Sequence, residues 1–466
     1  MPLILSGNVA SATAGAYEVA NSCRFDDGSS TEMNKTISST STTWTFSCWI
    51  KLNPTGTNQY LASWDMGSGE SLGIGIEAST NQLFIYTTST AAAPKLYDGK
   101  LRDPSAWMNI VIKNSSGTIT SYINGTQAET SITGTALASG TLRIGCYTGS
   151  NYFYDGYMAE VVLIDGTAYS ADSFGEFDED SPTIWKPKDV SGLTFGSDGF
   201  YCDYEASDNL GNDANGGTDL TEANLAATDQ SSDSPTNNFC TLNPLDAHTT
   251  SPTFAEGNLD FHAPSGTSWT PSKATIAVSK GKWYAEFKAI SATATLGVCS
   301  TQSPCDLMQS STEVRSNYRL NGGYWYGQNN GGFVDDQGDN SETFTDDDIC
   351  MCALDMDNGY FYFGINGTWV NGQDGSTTGD PAGNNGGSGG AGNPSSQLLT
   401  NQHDGVYTFF AGDGSTAATG QIQANFGNPP YANSSDAADA DGYGAFEYAP
   451  PSGYYALCTK NLAEYG

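Results

Sequence analysis

The segment Glu176-Phe177-Asp178-Glu179-Asp180 puts carboxylates at alternate positions. On an extended strand alternate side chains share one face about 7 Å apart, an arrangement that brings a nucleophile and an acid together for glycoside cleavage. Here Ser181-Pro182 follows directly, so the segment reads as a charged loop and no catalysis is expected from it. Other reaction chemistry is harder still to place. His248, His262 and His403 are far apart, with no Cys or Glu at metal-ligand spacing, which leaves neither a zinc site nor a hydrolase triad to argue. No Gly-x-Ser-x-Gly occurs, and Gly322-Gly323 and Gly331-Gly332 lack the Lys and helix of a phosphate loop. Asp355-Met356-Asp357-Asn358-Gly359 opens like a calcium loop, but no Glu stands at the closing position, so a turn is expected.

Aromatic clusters in loop-like stretches offer binding chemistry instead, because flat amphipathic rings serve sugar and protein contacts alike. Tyr147, Tyr152 and Tyr154 lie within a Gly- and Asn-rich stretch that ends at Tyr157, and Tyr324-Trp325-Tyr326 lies between Gly pairs. These six are the candidate ligand-binding residues. The alternative is that every second ring faces the core of a twisted strand.

The elements that must position such loops are strands. Identical tetrapeptides, Ile-Asn-Gly-Thr, begin at Ile123 and Ile365 and each follows a run of β-branched or aromatic residues. Asn-Gly is suited to the positive φ at both central positions of a type I′ turn, so two hairpins are expected. They are too far apart for a solenoid or propeller repeat, which suggests two domains using one device. The 55 Gly, 25 Tyr, 20 Phe and 9 Trp of the 466 residues fit a turn-rich β class. Alternation at Thr43–Leu52 and Thr118–Ile123 fits as well, and no window shows helical spacing. Fifty-two acidic against 17 basic residues give a net charge of −35, which repels nucleic acid and anionic lipid and draws cations.

The start, Met1-Pro2-Leu3-Ile4-Leu5-Ser6, lacks a basic region and a long apolar run, so no signal peptide or membrane insertion is expected. The ten cysteines form no zinc or small-disulfide pattern. Most are expected free, with Cys350 and Cys352 on one buried strand face and Cys299–Cys305 as a candidate local pair. Sequons begin at Asn34, Asn114, Asn124, Asn366 and Asn433. Two of them are the hairpin turns, and without a signal peptide glycosylation is not implied.

Five segments follow: an arm at 1–20, a β domain at 21–187, a polar connector at 188–252, a second β domain at 253–431 and a tail at 432–466. In the first domain, Trp107 opens a strand, Tyr122-Ile123-Asn124-Gly125 makes the hairpin, Leu142-Arg143-Ile144-Gly145 is a short strand, and Gly156-Tyr157-Met158-Ala159-Glu160-Val161 follows. This series resembles laminin-G-like, concanavalin-type jelly rolls over about residues 21–187. Relatives of that fold that cut β-glucans carry Glu-x-Asp-x-Glu, whereas Asp180 stands last here. Others hold Ca²⁺ at a loop edge, which implies Asp65 and Asp155 as candidate ligands; no cofactor is required. Gly281-Lys282-Trp283-Tyr284-Ala285-Glu286-Phe287, Asp347–Asp357 and the second hairpin resemble the SPRY domain, a bent sandwich used mainly for protein binding, here with a Gly-rich insertion at 380–394. The opening residues, with Asp208–Asp213 and Asp229–Phe239, are similar to stretches in virion proteins of tailed, especially marine, bacteriophages.

An all-β protein of two β-sandwich domains is therefore expected. The resemblance implies a non-enzymatic virion protein of fibre or decoration type, forming homo-oligomers, with a trimer favoured. Its loops would bind a host surface glycan or another virion protein. The alternatives are a glycan-degrading tail component and a purely architectural virion protein.

Overall fold

The computed structural model describes residues 17–67, 71–87, 95–96, 100–133, 136–149, 151–266, 270–291, 293–302, 305, 315–319, 324–329, 332–334, 344–370, 377–385, 405–413 and 420–466. The chain is nearly all β, in mainly antiparallel sheets, and divides into two compact units. One unit comprises Ala10–Asn238 with Ala255–Gly257, and the other takes Phe239–Phe254 and Asn258–Gly466.

The N-terminal unit is a sandwich of an eight-stranded and a seven-stranded sheet. Trp44–Leu52 lies centrally in the larger sheet, antiparallel to Met108–Ser115 on one side and to Gly156–Asp165 on the other. Its alternate residues Trp44, Phe46, Cys48, Ile50 and Leu52 enter the core between the sheets, where Trp44 and Trp64 pack at 5.7 Å. The whole strand is nevertheless buried on both faces. Its opposite side carries Trp49, which packs with Val19, Trp107 and Tyr157 beneath covering chain, and a second apolar layer joins Val111, Val162 and Ile164 to Phe174, Val190 and Phe195.

That cover corrects the reading of 188–252 as a connector. Phe200–Cys202 and Gln230–Ser231 extend the larger sheet, and Thr221–Ala223 extends the smaller one. Leu210 and Leu220 enter the core. The polar composition hid this because many of the polar groups are partnered rather than solvated: Lys35 donates to the Thr218 carbonyl, and Asp213 accepts the Tyr201 N–H.

The C-terminal unit is a second two-sheet sandwich. Lys282–Ala289 pairs with Ile349–Asp355 and Gln421–Asn425, and Trp283, Ala285 and Phe287 face a core shared with Leu354, Phe363 and Phe409. The tail at 432–466 folds onto the other side of this sheet. Phe446, Tyr454 and Cys458 pack on Tyr284, Met351 and Tyr362, and Tyr455–Ala456 adds a short parallel pairing. The chain then ends in a short helix, Thr459–Tyr465, where no helix was expected. All ten cysteines are buried and free, so the candidate Cys299–Cys305 pair is not a disulfide, while Cys350 and Cys352 share the core as expected.

Both Asn-Gly hairpins form as expected. Asn124 and Gly125 have φ of 47° and 71°, and Asn366 and Gly367 have 47° and 84°, the type I′ requirement. Each Asn is also locked to an earlier strand. Asn124 Oδ1 accepts the Asn109 N–H, and Asn366 Oδ1 accepts the Ile349 N–H, with the backbone bond returned in both cases. A Cβ on Gly125 would lie 2.3 Å from the Trp185 ring, whereas one on Gly117, also at positive φ, would meet nothing within 4 Å. Gly117→Ala should thus cost only the left-handed strain, about 1 kcal/mol, and Gly125→Ala roughly 2–3 kcal/mol. Urea unfolding of the two variants checks this, and equal losses would contradict it.

Candidate functional site

The smaller sheet of the N-terminal unit turns an aromatic face outward. On Ser71–Glu77, Leu72, Ile74 and Ile76 point into the core, so Gly73 and Gly75 lie on the outer side. With no side chains there, neighbouring rings pack close over the strand, Tyr60 and Phe84 edge to face at 5.0 Å. A Cβ on Gly73 would meet Tyr60 at 2.4 Å, and one on Gly75 would meet Phe84 at 2.7 Å. Tyr60 stands on Gln59–Asp65, and Phe84 and Tyr86 on Gln82–Thr87, alternating with core residues Leu83 and Ile85.

The loop after Gly140–Ile144 completes the face. Gly145, Thr148, Gly149 and Tyr152 have positive φ, and Tyr147 and Asn151 exchange backbone hydrogen bonds, so the chain doubles back tightly. The Tyr60 N–H donates to the Tyr152 carbonyl at 3.1 Å and fixes the loop to the sheet. Tyr147 then lies 4.7 Å from Tyr60, 6.2 Å from Tyr86 and 6.4 Å from Tyr152 between ring centroids. Tyr152 is 50% exposed. Its positive φ is uncommon for an aromatic residue and is the kind of backbone strain kept where a side chain must be presented. The Tyr147 and Ser71 hydroxyls lie 3.3 Å apart. Tyr60 and Phe84 are buried beneath the cluster, Tyr86 and Tyr147 are half-buried and Tyr152 is exposed, so the accessible part is a small patch of rings with phenol edges, suited to stacking and hydrogen bonding with a flat polar ligand.

Of the expected ligand residues, Tyr147 and Tyr152 meet here. Tyr154 does not: it is fully buried, its hydroxyl lies within hydrogen-bonding distance of the Lys51 and Tyr157 carbonyls, and its ring packs on Phe25. Two residues beyond Tyr152, the chain has re-entered the sandwich. Tyr324, Trp325 and Tyr326 stand on the strand Tyr324–Asn329, and their side chains lie outside the described residues. Tyr60 and Tyr86 were missed. The signal for them was their position on strands flanking one that alternates glycine with aliphatic residues.

The two candidate calcium ligands also part company. Asp65 is exposed and its carboxylate caps the Gly67 N–H. Asp155 is fully buried and meets Asp26 and Asp27, with one oxygen of each carboxylate within 4.8 Å of the others. Antiparallel pairing of Ser22–Phe25 with Gly156–Asp165, in register Phe25 to Gly156, brings them together. Asn53 Nδ2 donates to Asp155 at 2.9 Å. Burial first, then repulsion from Asp27 and Asp26, pushes the Asp155 carboxyl well above the usual range, and burial with Asp26 raises Asp27. Three hard oxygen donors fit a divalent cation, with water supplying the rest of the roughly six to eight that calcium takes.

The Glu176–Asp180 segment is not wholly the loop that the sequence suggested: Glu176 stands on a strand and Asp178 in the turn after it. Gly175–Phe177 pairs with Trp185–Pro187 as a small hairpin. Asp178 sits in its turn, accepts the Ser181 and Asp180 N–H groups and lies 3.6 Å from Lys186. The Ser181 N–H above all holds its carboxyl below the usual range.

Sandwiches of this build define a concanavalin-type class, and residues 25–172 match the model of the family Laminin_G_3, described as the concanavalin A-like lectin/glucanases superfamily. Among solved structures, the chain is similar to the SPRY domain of human HERC1, at 14% identity over 39% of this chain and 96% of that one, with a TM-score of 0.28. It is also similar to the heptameric SAP-like pentraxin of Limulus polyphemus, at 14% identity over 33% and 80%, TM-score 0.27. A third is domain 4 of AbnA, a GH43 extracellular arabinanase from Geobacillus stearothermophilus in complex with arabinotriose, at 16% identity over 28% and 64%, TM-score 0.22. No curated protein matches. Likenesses at these TM-scores carry nothing about a ligand.

Proposed function

We propose that this chain is a non-enzymatic binding and structural protein of a bacteriophage particle, acting as a homo-oligomer, and that the tyrosine face of the N-terminal unit contacts a host surface glycan. The observation that carries the glycan reading is the group of half-buried Tyr86 and Tyr147 and exposed Tyr152 packed around Tyr60, which is buried over Gly73. The particle assignment rests on the resemblance of the opening residues and of Asp208–Asp213 and Asp229–Phe239 to virion proteins. A net charge of −35 disfavours nucleic acid as the partner. The binding reading over the cleaving one is supported by the confinement of Asp178 in a turn against Lys186. Ca²⁺ at Asp26, Asp27 and Asp155 would brace the base of the loop carrying Tyr147 and Tyr152.

Tyr147→Ala and Tyr152→Ala should each weaken binding about 5- to 30-fold, as expected for losing one stacking ring of about 1–2 kcal/mol. The measurement is titration of purified protein onto extracted host polysaccharide, with and without chelator, while polymer length is followed. Undiminished binding by the double variant would move the ligand elsewhere. Shortening of the polymer would make the protein an enzyme, and no binding at all would favour a purely architectural role.

A further inference from the structure

Outside the tyrosine face, the N-terminal unit buries a set of groups that no binding role uses. Lys51 lies near the end of the central strand Trp44–Leu52, on the side away from the main core, with a fully buried side chain. Its Nζ donates to Asp233 Oδ2 at 2.6 Å and to Asn238 Oδ1 at 2.7 Å. Asp233 is also fully buried, and its other oxygen accepts the Trp107 indole N–H at 2.8 Å. The amide nitrogen of Asn238 donates to the Ser105 carbonyl at 2.6 Å, so its carbonyl oxygen faces the lysine. The Tyr157 ring lies 5.8 Å from Nζ and packs against Trp107.

An amine, a carboxamide and a carboxylate held together in a dry, aromatic-walled site are the components of an acyl transfer. A buried ion pair is costly to hold apart from water, and moving one proton across a 2.6 Å hydrogen bond turns it into a neutral amine and acid. The amine so produced is a nucleophile held beside the carboxamide, and holding reactants in place supplies much of the rate of such reactions.

We infer that Lys51 and Asn238 join in an intramolecular isopeptide bond, with Asp233 carrying the protons. Asp233 takes a proton from the Lys51 ammonium, and Nζ attacks Cγ of Asn238, forming a tetrahedral centre. The bond from Cγ to Nδ2 then breaks. Asp233 returns its proton to the leaving nitrogen, Nζ gives up its second proton to it, and ammonium departs. The new amide joins Nζ to Cγ, Asp233 ends as the carboxylate it began as, and no oxidant or co-reactant is needed. The joined residues are 187 positions apart. The bond would tie the end of the unit's main segment to a central strand, so that tension on the chain beyond Asn238 would reach that strand through a covalent bond.

Intact-mass measurement of the purified, denatured full chain tests this directly. The chain should be lighter than its sequence by one ammonia, and protease digestion should yield a branched peptide joining Lys51 to Asn238, with no tryptic cleavage after Lys51. The branched peptide separates this result from ammonia lost by cyclisation at the Asn-Gly turns. Asp233→Asn, which keeps the shape and removes the proton carrier, should restore the full mass, as should Lys51→Met. The unaltered protein at its full sequence mass, after prolonged incubation in the folded state, would overturn the inference and leave a plain buried ion pair. A loss of water with the branch on Asp233 would also overturn it, because the acceptor would then be the carboxylate.

Discussion

Replacing Glu286 with alanine is expected to destabilise the C-terminal unit by about 3–5 kcal/mol, the range for leaving several buried donors without their shared acceptor. Glu286 is fully buried on Lys282–Ala289, on the side opposite Phe287 and the main core. One carboxylate oxygen accepts the Tyr284 hydroxyl at 3.0 Å and the Tyr448 N–H at 2.7 Å. The other accepts the Asn425 amide at 3.1 Å and the Glu447 N–H at 3.0 Å. Two of the four donors are backbone groups of the tail, so this carboxylate is what fixes residues 447–448 to the sheet. Alanine would leave these donors without their acceptor in a site closed to water. Chemical unfolding measures the loss, and hydrogen exchange at the Glu447 and Tyr448 amides should accelerate with it. A variant within 1 kcal/mol of the parent, with those amides still protected, would show that Tyr284, Phe446 and Tyr454 hold the tail by packing alone.

Both units should lose stability as the solution moves from mildly acidic to mildly alkaline. Glu160, in the N-terminal unit, is buried on Gly156–Asp165 at φ of 50°, where the register with Trp44–Leu52 shifts. It accepts the Tyr17 and Tyr201 hydroxyls. Burial, the largest cause, raises its carboxyl to about 7, and burial raises Glu286 to about 7 against the opposing pull of the Tyr448 and Glu447 N–H groups. A carboxyl that holds its proton more tightly folded than unfolded favours folding when protonated. Its contribution is whole below about pH 4.5, declines as pH rises to about 7, and is gone above that. Each group is worth up to about 3 kcal/mol over that window. Asp198 and Asp348, held low by hydrogen bonds that outweigh their burial, act in the opposite sense below the usual carboxylate range. Together these place the optimum at about pH 4–5. Thermal unfolding from pH 5 to 8 should show both transitions falling, and Glu160→Gln and Glu286→Gln should each flatten one of them. A slope unchanged in both variants would assign the effect to the overall negative charge instead.

What the sequence determined by itself was local. The Asn-Gly turns, the turn at Asp355–Gly359 and the loop position of Asp178 follow from φ preferences and short-range hydrogen bonds, which act over a few residues whatever surrounds them. Alternation of apolar residues was enough for the β class and for the inward Cys350 and Cys352. The tertiary structure alone decided which polar residues are surface and which are structure. Asp233 and Asn238 read as linker until pairing across the sandwich brings Lys51 to them. Asp155 acquires Asp26 and Asp27 only through the register of two strands distant in sequence. A shift in pairing between Tyr60 and Ala62 sends Leu61 and Ala62 inward and leaves Tyr60 on the outer face. A one-residue change of register reverses the face of every side chain beyond it, so a period-two pattern cannot fix which tyrosines face out.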